Sequence, residues 1–286
     1  SFLYSVKFLL GILFFPKKHL STPTTILPSF IKWGTKTEPK KPSEPSIKIF
    51  FIKFINIPFD IIQFCLYWNI MIKNIFFWGA KYKAGIIHDL IENNKIKEDT
   101  KNLFVKYLFD PGLDKAKFKS KAKFSNKKEN LEEFFKNSHY FVTCIGNELG
   151  MARYFISKEL ESKKIKPLNI ISKSAYVDNE KLLGKGIQLF PNSVVQTNAK
   201  LGDYSILNTG AILEHDCITG NGVHIMPGAV IGGNAVIGNY VSIGLNATVM
   251  PKVHIGEGAY IGAGAVVMDD VKKNEVVVGN PAKFLK

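Results

Sequence analysis

Three cysteines, one arginine and no uninterrupted apolar run of membrane-spanning length occur in the 286 residues. Cys65, Cys144 and Cys217 show no paired spacing, which argues against a disulfide framework and predicts a reducing compartment. Arg153 is the sole arginine. Since no zinc finger or nucleic-acid stacking motif accompanies it, nucleic acid is not a predicted partner.

Positive charge is concentrated ahead of the last third of the chain. The formal net charge is +7 in residues 1–75, +7 in residues 76–172 and 0 in residues 173–286. An excess of this size attracts anionic lipid or phosphorylated metabolites.

Residues 1–73 form a predicted apolar, basic N-terminal extension. The apolar residues 1–15 are fewer than the ~20 that a membrane-spanning helix needs, and residues 16–46, rich in Pro and Lys, are predicted to be an extended linker. Residues 47–75 are rich in Ile and Phe. Three interpretations stay open for them: an interfacial anchor whose lysines meet lipid phosphates, a packing surface for a partner protein, and a buried helix.

One six-residue pattern recurs seventeen times between Ile171 and Lys272 without insertion or deletion. Small or β-branched residues such as Ala199, Ala211 and Ala229 recur within it. The first position of fifteen successive hexads is aliphatic in fourteen of them: Leu183, Leu189, Val195, Leu201, Leu207, Leu213, Thr219, Ile225, Ile231, Ile237, Ile243, Val249, Ile255, Ile261 and Val267. Neither a helix nor a strand has this period. It is typical of a β-helix, in which each repeat buries its apolar face against the next.

Glycine often follows the aliphatic residue. It does so in eight of the fifteen hexads, at Gly184, Gly202, Gly220, Gly232, Gly238, Gly244, Gly256 and Gly262. We expect these glycines at corners that need unusual backbone angles.

The repeat resembles that of the hexapeptide-repeat acyltransferases, [LIV]-G-x-x-A-x, over 102 residues. The resemblance implies a mainly β fold, a left-handed parallel β-helix with three hexads per circuit, in residues 171–286. Residues eighteen apart would then stack about one strand spacing, ~4.8 Å, above one another.

Residues 74–170 carry an α/β pattern and predict a small Rossmann-like domain. Buried strands are expected before Gly79, before Asp110 and in YFVTCIGN, and helices at 84–92, about 131–135 and 150–161. Ligands of such sheets bind at the carboxyl ends of the strands.

This domain order further resembles the nucleotide-amino-sugar N-acetyltransferase and sialic acid O-acetyltransferase branch. The branch's I-G-N loop is present and ends at Asn147, and the strand-end acid is Asp110. Its first turn, G-A-G-G-H, is replaced by GAKYK, which begins at Gly79 and contains Lys81 and Lys83. Lysine can hold a phosphate as a point charge. The resemblance implies that these five residues bind a nucleotide sugar; a purely structural domain is the alternative.

Within the repeat, the resemblance implies catalytic roles for His215, Asp216 and Gly233. A histidine can take a proton from an attacking amine or hydroxyl, and a backbone N–H can bind the oxyanion of a thioester carbonyl. Asp216 would orient the imidazole. Asn208 matches a polar substrate-binding position beside the base.

Acetyl-coenzyme A is the implied co-substrate, and no metal is expected. His224 would face a neighbouring subunit of a homotrimer near the thioester. The remaining contacts implied for coenzyme A are Gly233, Gly244, Gly262, Ala263 and, in the tail, Pro281 and Lys283.

The predicted function is N-acetylation of a nucleotide-linked amino sugar by direct transfer, on the cytoplasmic side. Residues 1–73 are the segment expected to contact a membrane surface or a membrane protein. The alternatives are a sialic-acid-type O-acetyltransferase and a catalytically inactive subunit of a membrane assembly. A γ-type carbonic anhydrase is disfavoured, because its three zinc histidines need a spacing that His215, His224 and His254 lack.

Overall fold

The computed structural model describes residues 72–285 of the chain. The predicted linker and nearly all of the predicted N-terminal extension lie outside the described residues. Within the described part, an α/β unit precedes a coil of short parallel strands. The predicted fold class is confirmed.

The α/β unit (residues 73–167) is a parallel sheet flanked by helices. Its elements are β1 (Lys73–Trp78), α1 (Tyr82–Glu92), β2 (Leu103–Phe109), β3 (Lys123–Ser125), a 3-10 turn (Lys128–Asn130), α2 (Leu131–Lys136), β4 (Tyr140–Thr143), α3 (Gly150–Ser162) and β5 (Lys166–Pro167). The strand order is β3–β2–β1–β4–β5. The helix α1 begins two residues before its predicted start, and β3 and β5 were not predicted.

Both faces of this sheet are apolar. Successive side chains of a strand point to opposite faces, and in β1 they are apolar on both. Ile75 and Phe77 of β1 pack in one buried cluster with α1. Phe76 points to the other face, where it packs with Phe134 and Phe141. A sheet covered on both faces leaves the ends of its strands as the open place for a ligand.

The coil (residues 170–284) runs through three sheets. The first contains β6 (Ile170–Ile171), β8 (Gln188–Leu189), β10 (Ile206–Leu207), β13 (His224–Ile225), β16 (Ser242–Ile243), β19 (Tyr260–Ile261), β21 (Val276–Val278) and β22 (Lys283–Phe284). The second contains β7 (Tyr176–Val177), β9 (Val194–Val195), β11 (Ile212–Leu213), β14 (Val230–Ile231), β17 (Thr248–Val249) and β20 (Val266–Val267). The third contains β12 (Ile218–Thr219), β15 (Val236–Ile237) and β18 (His254–Ile255). A 3-10 turn (Glu180–Leu182) lies in the first circuit.

Each circuit of the coil takes eighteen residues. Ile206 pairs in parallel with His224, and His224 with Ser242. The predicted stacking of residues eighteen apart is therefore confirmed. The aliphatic and small positions of every hexad point inward and form one buried cluster along the axis.

Three corners join the sheets: the first corner lies between the first and second sheets, the second corner between the second and third, and the third corner between the third and first. From Gly186 to Gly264, one residue per corner has a positive φ. At the second corner these residues are Asn198, Asp216, Asn234 and Lys252, with φ of +59°, +57°, +62° and +66°. Asn and Asp tolerate this left-handed conformation better than most residues.

The glycines that follow the first position of the hexad do not adopt the unusual backbone angles that were predicted for them. None of them has a positive φ. A Cβ on Gly238 would lie 2.5 Å from the backbone nitrogen of Glu257, and one on Gly220 would lie 2.6 Å from that of Asn239. The expectation of unusual backbone angles is thus wrong. Glycine is needed there because the next circuit passes too close for a side chain.

The α/β unit packs on the outer face of the first sheet and on the third corner. Ile206 and Phe190 of the coil share a buried cluster with Ile75, and Gln188 Nε2 donates to the carbonyl of Thr143 at 2.9 Å. This packing fixes which face of the coil stays available. Every helix in residues 72–285 falls short of the length and apolarity needed to cross a bilayer.

Candidate active site

His215 and Asp216 lie at the second corner, two and three residues after β11. His215 Nδ1 is 2.9 Å from Asp216 Oδ2, so an N–H on Nδ1 donates to the carboxylate and Nε2 stays free to accept a proton. Hydrogen bonds from His215 and then from Asn198 hold the pKa of Asp216 below its ordinary value. The pair has the geometry of a base with an orienting acid.

Gly233 lies one circuit above His215. A Cβ on Gly233 would stand 2.5 Å from His215 Nε2 and 2.6 Å from Cε1. Only glycine therefore fits next to the ring in this position. Gly233 is buried, and its carbonyl accepts from the N–H of Lys252 at 3.0 Å. Its own N–H has no acceptor within residues 72–285. A free amide beside a free imidazole nitrogen is the arrangement that an oxyanion-binding site requires.

Asn198 is a site residue that the sequence interpretation missed. Its Nδ2 donates to Asp216 Oδ1 at 3.1 Å, so both carboxylate oxygens of Asp216 have a partner. Asn198 stands eighteen residues before Asp216. The spacing that linked His215 with Gly233 would have found it.

A cleft of about 440 Å³ opens at the carboxyl ends of β1, β2 and β4. The structure brings five of the predicted substrate residues together along its wall: Gly79, Lys81, Lys83, Asp110 and Asn147. Trp78, Tyr82, Pro111 and Leu149 add apolar surface to it. The cleft therefore combines positive charge with flat apolar groups.

Asp110 holds the turn that opens the cleft. Its Oδ2 accepts the N–H of Ala80 and its Oδ1 that of Gly112, both at 3.0 Å. Gly79 has φ +105°, and a Cβ there would lie 3.2 Å from Cys144 Cβ. The chain can reverse after β1 only with glycine at this point.

The two lysines of the cleft differ in exposure. Lys81 is the exposed residue that precedes α1. Lys83 lies within α1, and its Nζ is buried without a hydrogen-bond partner among the described residues. Burial and then the charge of Arg153 lower the pKa of Lys83 to about 7. Its side chain runs beneath Gly146, where a Cβ would lie 2.7 Å from Lys83 Cε.

His224 does not face a neighbouring subunit as predicted. It is 3% exposed, because the α/β unit covers the outer face of the first sheet. Its Nδ1 lies 2.9 Å from the carbonyl oxygen of Asn147. Burial, reinforced by the charges of Lys83 and Arg153, holds the pKa of His224 well below its ordinary value. A neutral His224 joins the I-G-N loop to the coil and offers no contact for coenzyme A.

Asn208 is not beside His215 within the chain. It lies at the first corner, whereas His215 lies at the second. Asn208 Nδ2 is 3.5 Å from His224 Nε2, and its Oδ1 accepts the N–H of Thr209 at 2.9 Å. Within one chain the second sheet separates Asn208 from His215, and a substrate-binding role beside the base stays a prediction.

The predicted coenzyme A residues of the coil stack at the first corner. Gly244 and Gly262 are eighteen residues apart, and a Cβ on Gly244 would lie 2.5 Å from the nitrogen of Ala263. Gly244 and Gly262 are buried, and Ala263 is exposed. They share no corner with His215 or Gly233.

The tail closes the top of the coil. β22 pairs antiparallel with β21, and the N–H of Ala282 donates to the carbonyl of Val266 at 2.8 Å. Pro281 and Lys283 are exposed beside this closure. Pairing the last strand in this way removes an open edge.

Arg153 has a larger structural role than the sequence suggested. It is fully buried in α3 and donates only to backbone carbonyls. Its Nε reaches Tyr204 and its Nη2 reaches Gly222, each at 2.7 Å, while Nη1 reaches Ile145 at 3.1 Å. One side chain thus joins α3 and the I-G-N loop to the third corner of the coil.

The cleft and His215 lie on opposite sides of the coil. The α/β unit sits on the first sheet, and the second corner is the one that the first sheet does not touch. No group of three or more His, Cys, Asp or Glu residues among residues 72–285 could hold a metal ion.

This coil, with a histidine and an aspartate beside a free amide, is similar to those of the hexapeptide-repeat acyltransferases. Family models and curated proteins give no match to the sequence. Solved structures do. The acetyltransferase domain of PglB from Neisseria gonorrhoeae FA1090, in complex with acetyl coenzyme A, is 25% identical with a TM-score of 0.64 over 75% of this chain and 100% of its own.

Two further neighbours share the fold at lower identity. A variant of GDP-perosamine N-acetyltransferase from Caulobacter crescentus, in complex with CoA and GDP-perosamine, is 22% identical with a TM-score of 0.65 over 75% of this chain and 98% of its own. WeeI from Acinetobacter baumannii AYE is 22% identical with a TM-score of 0.57 over 74% of this chain and 100% of its own. The resemblance predicted from the sequence is confirmed: the chain has the structure of a hexapeptide-repeat acyltransferase.

Proposed function

We propose that the protein transfers the acetyl group of acetyl-coenzyme A to the amine of a nucleotide-linked amino sugar. The observation that carries the proposal is the free N–H of Gly233 beside the free Nε2 of His215. The basic, partly apolar cleft suits a nucleotide diphosphate. The PglB domain binds acetyl coenzyme A, and the Caulobacter enzyme binds CoA together with GDP-perosamine.

In the proposed reaction, the sugar amine attacks the thioester carbonyl carbon and the C–N bond forms. His215 Nε2 takes the proton that the amine loses, while Asp216 holds the imidazole through Nδ1. The N–H of Gly233 stabilises the oxyanion, and a donor of this kind is worth about 3–4 kcal/mol in other enzymes. When the C–S bond breaks, the thiolate of coenzyme A leaves and receives a proton.

The proposed site is completed between copies of the chain, as in a homotrimer. The cleft and His215 lie on opposite sides of one coil, so one copy cannot bring them together. The outer face of the second sheet is apolar and only partly buried, at Val194, Ile212, Val230 and Val266. Because such a face favours burial, we expect light scattering to give three chains per particle and Val230→Asp to reduce that number.

The function is tested by thiol release from acetyl-coenzyme A with UDP-, GDP- and dTDP-linked amino sugars and with a sialic acid. We expect turnover with an amino sugar, and at least a 10²-fold loss of kcat in His215→Ala. His254→Ala is the matched control, since His254 also lies on the coil, 3.7 Å from Asp270. Unchanged turnover in His215→Ala would disprove the base.

Calorimetry with coenzyme A separates the enzyme from a catalytically inactive subunit, which would not bind it. Turnover of the sialic acid alone would favour the O-acetyltransferase. A reducing, cytoplasmic-side location and a membrane contact through residues 1–73 remain predictions.

A further inference from the structure

Lys83 lines the cleft and carries a hydrogen-bond donor that no described residue uses. Its Nζ is buried and has no partner within residues 72–285. The methylene groups pass beneath Gly146, and Nζ lies 5.3 Å from the centre of the Phe190 ring. A buried nitrogen without a partner is costly, and a ligand acceptor would remove that cost.

Three titratable groups beside Lys83, namely Cys144, His224 and Arg153, keep a constant charge near neutral pH. Burial raises the pKa of the Cys144 thiol far above neutrality and keeps His224 neutral. Burial lowers the pKa of Arg153 only to about 9, so its guanidinium stays charged. In the cleft, Asp110 is bonded to backbone N–H groups and Lys81 is exposed.

Lys83 therefore differs from every group around it. Burial, followed by the charge of Arg153, lowers its pKa to about 7, so the amine loses its proton when the pH passes neutrality. No carboxylate contacts it among residues 72–285. An anion in the cleft would supply the missing negative charge.

We propose that Lys83 binds the diphosphate of a nucleotide sugar and takes up one proton from solvent when the ligand enters the cleft. The inference rests on the proposed function, whose site it shares. The neutral amine becomes an ammonium that donates to a phosphate oxygen, and no covalent bond changes. The resemblance placed a phosphate at Lys83; the proton uptake follows from its burial in this chain.

The sign of the pH dependence follows from linkage. Below pH 7 the free protein already carries the proton, so ligand binding takes up none. Above pH 7 the free amine is neutral, and binding needs a proton that becomes scarcer as the pH rises. Between pH 6 and pH 8.5 the Kd should therefore rise by about 30-fold.

The test is calorimetry of the full chain with UDP-N-acetylglucosamine, GDP-mannose and dTDP-glucose, whose diphosphates have the same charge at pH 6 and at pH 8.5. Titrations in buffers of different ionisation enthalpy report the protons taken up. We expect about one proton at pH 8.5 and about none at pH 6 for the nucleotide sugar that binds. Equal Kd values at both pH values, no proton uptake at pH 8.5, or no binding of any of the three, would overturn the inference.

Two variants assign the proton to its residue. Lys83→Met should bind more weakly at pH 6 and show neither proton uptake nor pH dependence. Lys81→Met removes the exposed lysine of the same cleft and should weaken binding equally at both pH values, with the proton count kept. Proton uptake that persists in Lys83→Met would overturn the assignment, and the measurement on the unsubstituted protein stands even if this variant misfolds.

Failure of this inference and failure of the proposed function give different results. Acetyl transfer that depends on His215 but binds its nucleotide sugar without proton uptake would overturn the inference alone. Proton-linked binding of a nucleotide sugar without acetyl transfer would overturn the proposed function alone.

Discussion

At the scale of single residues, the candidate active site depends on glycine at position 233, where a side chain would collide with His215. Gly233 leaves room for the His215 ring, and its N–H has no acceptor among residues 72–285. Asp216 holds the imidazole through Nδ1 and is itself held by Asn198, which leaves Nε2 on the side of Gly233. Base and oxyanion donor are thus fixed by one spacing of eighteen residues.

The orientation of the base gives a kinetic prediction. Asp216→Asn should lower kcat by about 10²-fold with little change in KM, because the carboxylate holds the imidazole and takes no part in ligand binding. Steady-state kinetics at saturating acetyl-coenzyme A measure this. Asp270→Asn, beside His254, is the matched control and should retain full activity. Equal rates in both variants would remove Asp216 from the mechanism.

The sequence predicted His215, Asp216 and Gly233 as a group because one circuit of the coil relates them. It did not predict Asn198, and it placed His224 at a subunit interface, whereas the structure buries it. The burial of His224 depends on how the α/β unit sits on the first sheet. Such packing between distant segments leaves no periodic trace in the sequence.

At the scale of the elements, positive φ and close approach between circuits occur at different positions of the hexad, whereas the sequence interpretation assigned both to the same glycines. Positive φ falls on one residue per corner, filled by Gly, Asn, Asp, Tyr or Lys. Close approach between circuits falls on the eight glycines that stand at the second position of their hexads. The period of six predicted the fold, but it could not distinguish the glycines with a positive φ from those that leave room for the next circuit.

This distinction predicts different costs for two glycine substitutions. Gly238→Ala should lower the free energy of unfolding by about 1–3 kcal/mol, since its Cβ would press on the backbone of Glu257. Gly210→Asn should be nearly neutral, because Gly210 has φ +66° with open space around it and Asn192 and Asn246 occupy the same stack. Urea denaturation measures both values, and a larger loss in Gly210→Asn would contradict the assignment.

At the scale of the whole molecule, one guanidinium holds the α/β unit to the coil. Arg153 bonds to carbonyls of the third corner and of the I-G-N loop. The sequence showed only that Arg153 is the sole arginine. Its role in stability follows from its hydrogen bonds to both the α/β unit and the coil.

The loss of this contact should weaken the whole molecule. Arg153→Met should reduce the free energy of unfolding by about 2–4 kcal/mol, because several buried carbonyls lose their donors. Lys158→Met on the same helix removes a surface ion pair with Glu161 and should destabilise the protein much less. Urea denaturation compares the two, and hydrogen exchange should show earlier opening of α3 in Arg153→Met. Equal stability of the two variants would contradict this role.

The eighteen-residue circuit also makes the length of the coil a stepwise property. Deleting or duplicating one whole circuit above Gly238 would move the capping tail by one rise, ~4.8 Å, and leave the chemistry below untouched. A change of six residues would instead turn every later corner onto a different side. The length of the coil can therefore change only by whole circuits. Insertions of eighteen residues, or of a multiple of eighteen, are the ones that this fold can accommodate.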